Sequence, residues 1–195
     1  MRVISGTAKG RHLKAVPGMG TRPTTDKVKE AIFSMIGPYF DGGIVLDLFA
    51  GTGGLGIEAL SRGMDRAVFV DMDKKSIDVV RENLAACRLE QEAEVYRNEA
   101  ERALKVLAKK ESENRFALVF LDPPYRMKTA DKLMGEMHSL GLLAPEAVVL
   151  VEHASDFRYP EAFGPFVCRK LALYGETAVA IYDYQHEDLP QGMES

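Results

Sequence analysis

The sequence predicts an α/β fold: a Rossmann-like, mostly parallel seven-stranded sheet with a C-terminal antiparallel hairpin and a small N-terminal β-hairpin extension. Three observations carry that expectation. Apolar runs alternate with amphipathic stretches from residue 44 to residue 151. A glycine-rich turn follows the first run. The last two apolar stretches are separated only by Tyr174-Gly175-Glu176, too short for a crossover helix. Strand–helix alternation implies parallel strands covered on both faces, whereas a three-residue link implies antiparallel neighbours.

The elements follow in order. Residues 2–16 mix apolar and polar positions around Gly6 and Gly10 and read as a hairpin. Residues 18–23 are a loop, and Thr24 or Thr25 caps a helix starting near Asp26, with Val28, Ala31, Ile32, Met35 and Ile36 on one face. Gly37-Pro38 ends it. Strands are expected over 44–48, 67–70, 93–97, 116–121 and 147–151. Helices are expected over 55–62, 74–88, 99–110 and 129–140, and the closing hairpin over 166–173 and 177–184. The organisation is a basic arm (1–24), one domain (25–184) and a polar tail (185–195) expected to be disordered.

Composition narrows the class. The 195 residues are 46% hydrophobic and 28% charged, enough for one large core and unlike collagen, coiled coil or a disordered chain. No apolar run approaches a membrane span, and the first residues lack the apolar stretch of a signal peptide, so a cytoplasmic setting is expected, without a membrane or an obligate protein partner. Cys87 and Cys168 make neither a disulfide framework nor a metal pattern, and the four histidines are scattered, so no metal is expected. The net charge of -4 hides an asymmetry. Residues 1–30 hold Arg2, Lys9, Arg11, Lys14, Arg22, Lys27 and Lys29 against Asp26 and Glu30, so this segment carries +5 and the rest -9. Such an arm is either a solvated face or a local contact for phosphates.

Two motifs carry chemistry. Gly51, Gly53 and Gly56 form G-x-G-x-x-G between a strand and a helix, and Asp71 lies 20 positions after Gly51, placed to accept hydrogen bonds from ribose hydroxyls. Alone this pattern fits several nucleoside cofactors, or a tight turn with no ligand. Asp47, at the end of the first strand, separates them. A carboxylate there opposes a pyrophosphate but suits the ammonium and sulfonium of S-adenosylmethionine. The second motif is Asp122-Pro123-Pro124-Tyr125, after the fourth strand. The prolines stiffen the turn and remove donors, leaving the Asp122 carboxylate and the Pro123 carbonyl to grip an exocyclic amine. Tyr125 offers a face on which an unstacked base can lie. Arg126 and Lys128 follow, either contacts for RNA phosphates or simply solvated charges. Glu152-His153 reads as a polar strand end.

With these residues in place, the chain resembles the class I S-adenosylmethionine-dependent amino-methyltransferases. Arg2-Val3-Ile4-Ser5-Gly6, Gly10-Arg11, Thr21-Arg22-Pro23-Thr24 and Val28-Lys29-Glu30-Ala31-Ile32-Phe33 sharpen the resemblance to the RsmD family, from residue 2 to about residue 184. That family methylates a guanine N2 amine of bacterial 16S ribosomal RNA. The resemblance implies a substrate that is this RNA or a small-subunit ribosomal particle, and direct in-line methyl transfer. It implies that Asp47, Gly51 and Gly53 hold the methionine end of the cofactor, Asp71 its ribose, Met72 and Glu99-Ala100 its adenine. Arg22 and Thr24 would close over the cofactor or meet RNA, and Asp122, Pro123 and Tyr125 would receive the guanine. The competing readings are amino-methylation of DNA adenine or protein glutamine, a nicotinamide oxidoreductase, and a non-catalytic RNA-binding or assembly factor. An oxidoreductase leaves Asp47 and the proline turn unexplained, and an assembly factor leaves a whole cofactor site unexplained.

Overall fold

The computed structural model describes residues 1–18, 25–110 and 115–185. Among the described residues, eight strands form one sheet: β1 (Ile44–Asp47), β2 (Arg66–Asp71), β3 (Ala93–Arg97), β4 (Phe116–Leu121), β5 (Leu143–Ala154), β6 (Ala162–Phe163), β7 (Phe166–Tyr174) and β8 (Thr177–Tyr184). Five helices accompany them: α1 (Asp26–Ile36), α2 (Gly54–Ser61), α3 (Lys74–Ala86), α4 (Ala100–Lys109) and α5 (Ala130–Ser139). The spatial order is β3-β2-β1-β4-β5-β8-β7-β6. Strands β1 to β5 run parallel, and β8 pairs antiparallel with β5 and β7.

The seven expected strands all form. An eighth, two residues long, extends the edge through Ala162↔Val167 and Phe163↔Phe166. Strand β5 is longer than its apolar run. Its register with β4 moves from Phe116↔Leu143 to Leu118↔Val148, with Glu146 at φ 60 in the irregular stretch. The expected N-terminal hairpin is short: one antiparallel bridge, Arg2↔His12, flanked by backbone bonds from Val3 N–H to Arg11, Gly10 N–H to Val3 and Leu13 N–H to Met1.

The central strands are apolar at consecutive positions because both faces are covered. Val45, Leu118, Phe120, Leu150 and Ile181 face one core with Ile32, Phe33, Ile57 and Val80 of α1, α2 and α3. Leu46, Val119, Val149 and Tyr182 face the other, with Leu104, Leu133, Met134 and Met137 of α4 and α5. Helix starts are set locally. Thr25 Oγ1 accepts from the Val28 N–H, and Asp73 from the Ser76 N–H.

The N-terminal arm is bound to the first of these layers. Val3, Ala8 and Leu13 are buried in it. The Glu58 carboxylate, fully buried on α2, accepts from the Ile4 and Ser5 N–H groups and pairs with Lys29 (3.4 Å) and Arg62 (2.9 Å). Lys29 Nζ also donates to the Arg2 carbonyl, and burial pushes its pKa down from the usual lysine value. Lys29 is therefore a structural cation, available neither to a solvated basic face nor to a phosphate contact. Asn83 on α3 joins the arm to the glycine turn. Its Oδ1 accepts from Lys14 N–H (2.7 Å), and its Nδ2 donates to the carbonyls of Lys14 (3.1 Å) and Thr52 (2.9 Å).

Candidate active site

The site lies where the strand order reverses. Strand β1 sits between β2 and β4, and the carboxyl ends of these strands and of β5 point the same way. Asp47, Asp71, Asp122 and Glu152 stand at or just beyond these ends. Register and alternation place three of them on one face. Asp47 pairs with Phe120, and Phe120 with Leu150, so two residues on, Asp122 and Glu152 stand side by side.

The glycine turn between β1 and α2 is shaped by its neighbours. Gly51 has φ 56 and faces open space, where a side chain would meet nothing. A Cβ on Gly56 would sit 2.4 Å from the Phe69 ring, so close helix–strand packing requires glycine there. The turn's amides are engaged internally. Gly51 N–H donates to Asp71 (2.9 Å), Gly53 N–H to the Ala50 carbonyl (2.7 Å), Gly54 N–H to Thr52 Oγ1 (3.2 Å) and Gly56 N–H to Asp47 (3.2 Å). A pyrophosphate cradle needs such donors turned toward the ligand. Here they point into the protein, and carboxylates surround the opening.

Electrostatics give the same result. Asp47 is buried, and its pKa is raised to about 7, by desolvation first and then by the charges of Asp71 and Glu152, against the hydrogen bond from Gly56. Asp122 is raised well above the ordinary carboxylate range. Its cause is first desolvation, then the adjacent Glu152, to which it is hydrogen-bonded, then Asp47. Solvent still reaches Asp122 through the open mouth. Such a set of acids attracts a cation and repels phosphate. It fits the ammonium and sulfonium of S-adenosylmethionine better than a dinucleotide.

The other expected positions fall around this centre. Asp71 also accepts from Asp73 N–H (2.9 Å), so its carboxylate braces both the glycine turn and the start of α3. Met72 is 67% exposed beside it. Glu99 is exposed and paired with Arg102 (3.1 Å), with Ala100 next to it at the start of α4. In the proline turn, Met127 N–H donates to the Pro124 carbonyl (2.7 Å), and the Tyr125 hydroxyl meets Thr177 Oγ1 (2.6 Å) at the start of β8. Pro123 is buried, and Tyr125 and Arg126 are exposed at the mouth. Arg2, Lys9 and Arg11 are exposed on the arm, Arg2 facing Asp26 at 3.6 Å. Arg22 and Thr24 lie outside the described residues, as does the tail from residue 186. Lys128 rests over the Phe157 ring at 4.7 Å. His153 is a buried core side chain packed against Phe157 and Tyr159. Burial raises both thiols, Cys87 and Cys168, above their usual pKa. Among the described residues, no cluster of side chains has the make-up of a metal site, and no helix is long and apolar enough to cross a membrane.

Glu152 is the residue that sequence reasoning missed. It is 5% exposed and lies beside Asp122, not at a solvated strand end. An acid closing an otherwise apolar run was the only available signal.

The fold and the switch-point site together define a Rossmann-like class I methyltransferase architecture. The comparisons agree. The chain belongs to the family described as "Conserved hypothetical protein 95", which matches residues 1–183. YlbH of Bacillus subtilis is 53% identical over 182 residues, covering 93% of this chain and 98% of that protein. "Ribosomal RNA small subunit methyltransferase D" of Escherichia coli strain K12 is 32% identical over 182 residues, covering 93% and 89%. Among solved structures, yhhF of Escherichia coli superposes with a TM-score of 0.80 at 31% identity, covering 96% of this chain and 99% of that one. An RNA methyltransferase of Salinibacter ruber, solved with S-adenosyl-L-homocysteine, shares the fold at a TM-score of 0.62 and 15% identity, covering 89% and 100%.

Proposed function

We propose that this chain methylates the exocyclic N2 amine of a guanine in small-subunit ribosomal RNA, using S-adenosyl-L-methionine and releasing S-adenosyl-L-homocysteine. The observation that carries the reading is the Asp-Pro-Pro-Tyr turn beside a glycine turn whose amides are engaged and whose rim is carboxylate. The relatives named for small-subunit ribosomal RNA methylation support an RNA substrate over DNA or protein.

When bound, S-adenosylmethionine supplies a methyl group on a sulfonium and departs as a neutral thioether. The chain's residues do the rest. Asp47 and the Gly51–Gly53 backbone hold the amino-acid end, Asp71 the ribose hydroxyls, and Met72, Glu99 and Ala100 border the adenine. Asp122 and the Pro123 carbonyl accept the hydrogens of the guanine amine. That turns its lone pair out of conjugation and toward the methyl group, so the gain is positioning and electrostatics. Tyr125 stacks on the flipped base, held by Thr177. Arg2, Lys9, Arg11 and Arg126, with Arg22 and Thr24, meet the RNA backbone. The arm (1–24) thus serves a domain spanning 25–184.

The test offers tritium-labelled S-adenosylmethionine to small ribosomal particles and to protein-free RNA, both from cells lacking this gene, followed by nucleoside analysis. Label in N2-methylguanosine supports the reading. Cofactor binding without label in either substrate rejects the ribosomal assignment. Asp122→Ala is expected to lower kcat by about 10²-fold or more while cofactor affinity stays within a few-fold. Equal loss of both would remove Asp122 from the amine-binding role.

A further inference from the structure

We propose that Glu152 is a positioning residue of this site: its carboxylate, on the strand end next to Asp122, holds the Asp122 proton and takes up the proton that the methylated amine must lose. The inference rests on the function proposed above. Its geometric basis is independent of that function.

The sheet register sets the pair. Leu121 lies opposite Val151 on parallel strands, so the next residue of each chain segment brings Asp122 and Glu152 together. Both follow the alternation of Phe120 and Leu150, which face the α1–α3 layer, as Asp47 does. Val179 of β8 lies opposite Glu152 on its other side and brings no polar group. Glu152 is buried, whereas Asp122 is open toward the mouth. The two carboxyl groups share a hydrogen bond. A carboxylate only accepts, so one of two hydrogen-bonded carboxyls must carry a proton. In this proposal that proton sits on Asp122, whose carboxyl is held well above the ordinary range by desolvation first and then by Glu152.

The arrangement divides the labour of Asp122 between its two oxygens. The hydroxyl donates to Glu152, and the carbonyl oxygen remains an acceptor for the guanine amine. After transfer the amine nitrogen is positively charged and must lose a proton. Its N–H bond breaks with the electron pair staying on nitrogen, and the proton joins the Asp122 carbonyl oxygen. In the same event the Asp122 hydroxyl proton passes to the Glu152 carboxylate. Asp122 ends neutral, as it began, and Glu152 has gained the proton. The charge released by methylation is thus absorbed beside the reacting atom. Asp122, open to solvent, then releases its outer proton to water as the Glu152 proton passes back to it, which restores the starting pair.

The charged and titratable groups facing the pair are few. Asp47 approaches from β1, and Asp71 stands beyond it. Tyr125 lies on the proline turn with Glu176 beyond it. All of these are acids, and no described lysine or arginine is among the groups that act on Asp122. His153 and Lys128 turn to the Phe157 side. Glu152 is thus the neighbour whose removal should move Asp122 most.

The test is a carbon-13 carboxyl titration of the cofactor-free full chain, wild type and Glu152→Gln, with assignment through Asp122→Asn. Wild-type Asp122 is expected to titrate above the ordinary carboxylate range. In Glu152→Gln, which keeps size and polarity but removes the charge, its midpoint should fall by about one pH unit or more. Single-turnover transfer should slow by about 10²-fold with unchanged cofactor affinity, and its alkaline limb, set by loss of the Asp122 proton, should move to lower pH with the Asp122 midpoint. A purely structural role would lower stability and leave the midpoint and the limb in place. An unmoved midpoint, or wild-type Asp122 in the ordinary range, overturns the proposal. The wild-type titration decides alone if Glu152→Gln does not fold. The titration uses no RNA, so failure of the guanine assignment appears only in the nucleoside assay and is separable from failure of the pair.

Discussion

At the scale of single residues, Gly56 and Asp47 form one device. Gly56 lets α2 lie against the Phe69 ring, and that approach brings its N–H to the Asp47 carboxylate. Gly56→Ala would force the ring or the helix to move, at a cost of about 1–3 kcal/mol. It would also lengthen the bond to Asp47. The expected outcome is a lower melting temperature and weaker S-adenosylmethionine binding in the same variant, read by thermal unfolding and calorimetry. A variant that loses stability alone would uncouple the two roles. The glycines, Asp47 and the Asp-Pro-Pro-Tyr turn were legible in the sequence because each sits at a break in an apolar run. Glu152 was not. An acid after Leu150-Val151 looks the same whether it meets solvent or another acid, and only the register of β5 against β4 decides between them.

At the scale of elements, the arm is held by charge. Glu58 binds two cations and two backbone amides in a site closed to water. Removing one member of such a cluster leaves buried charge uncompensated, which typically costs about 3–5 kcal/mol. Glu58→Ala strands Lys29 and Arg62 together and frees Ile4 and Ser5. Chemical denaturation should show a loss of that order, with early proteolytic cutting in residues 1–18. A loss under about 1 kcal/mol would mean that apolar contacts of Val3, Ala8 and Leu13 hold the arm. The elements themselves were legible almost to the residue, since strands buried on both faces and helices with one apolar face leave distinct patterns. The exceptions have local causes. Strand β6 has two residues, too few for a period, and β5 begins before Pro145, which reads as a stop. The arm's residues pair as a short hairpin through backbone bonds between residues 1–3 and 10–13, and side chains of α1, α2 and α3 hold it against the domain.

At the scale of the whole molecule, the row of acids makes the fold work against itself in the absence of a cationic ligand. Asp47 titrates near 7 in the folded chain against an ordinary value of 3.8. A raised carboxyl favours folding while the folded state holds the extra proton. Its contribution is fully present below about pH 4 and is lost as pH rises through about 7. Asp122 acts in the same direction. The cofactor-free protein should therefore gain melting temperature between pH 8 and pH 5 through these groups, by several degrees at about 2–4 °C per kcal/mol. Asp47→Asn should shrink that difference by raising stability at pH 8, while weakening cofactor binding about tenfold or more. An unchanged pH dependence in Asp47→Asn would place the effect elsewhere. Such a balance, in which the ligand relieves a strain that its binding site creates, is a form of the trade between stability and activity.

The position of Met1 has a practical side. Its thioether lies 3.2 Å from where a side chain on Gly54 would begin, and its carbonyl accepts from Leu13 N–H. Whatever is fused ahead of Met1 therefore emerges at the lip of the glycine turn. A purification handle attached there would crowd the opening and blur any affinity measured with it. Handles, fluorophores and surface tethers belong at the other terminus, because β8 runs antiparallel to β5 and so ends at the edge of the sheet away from the site.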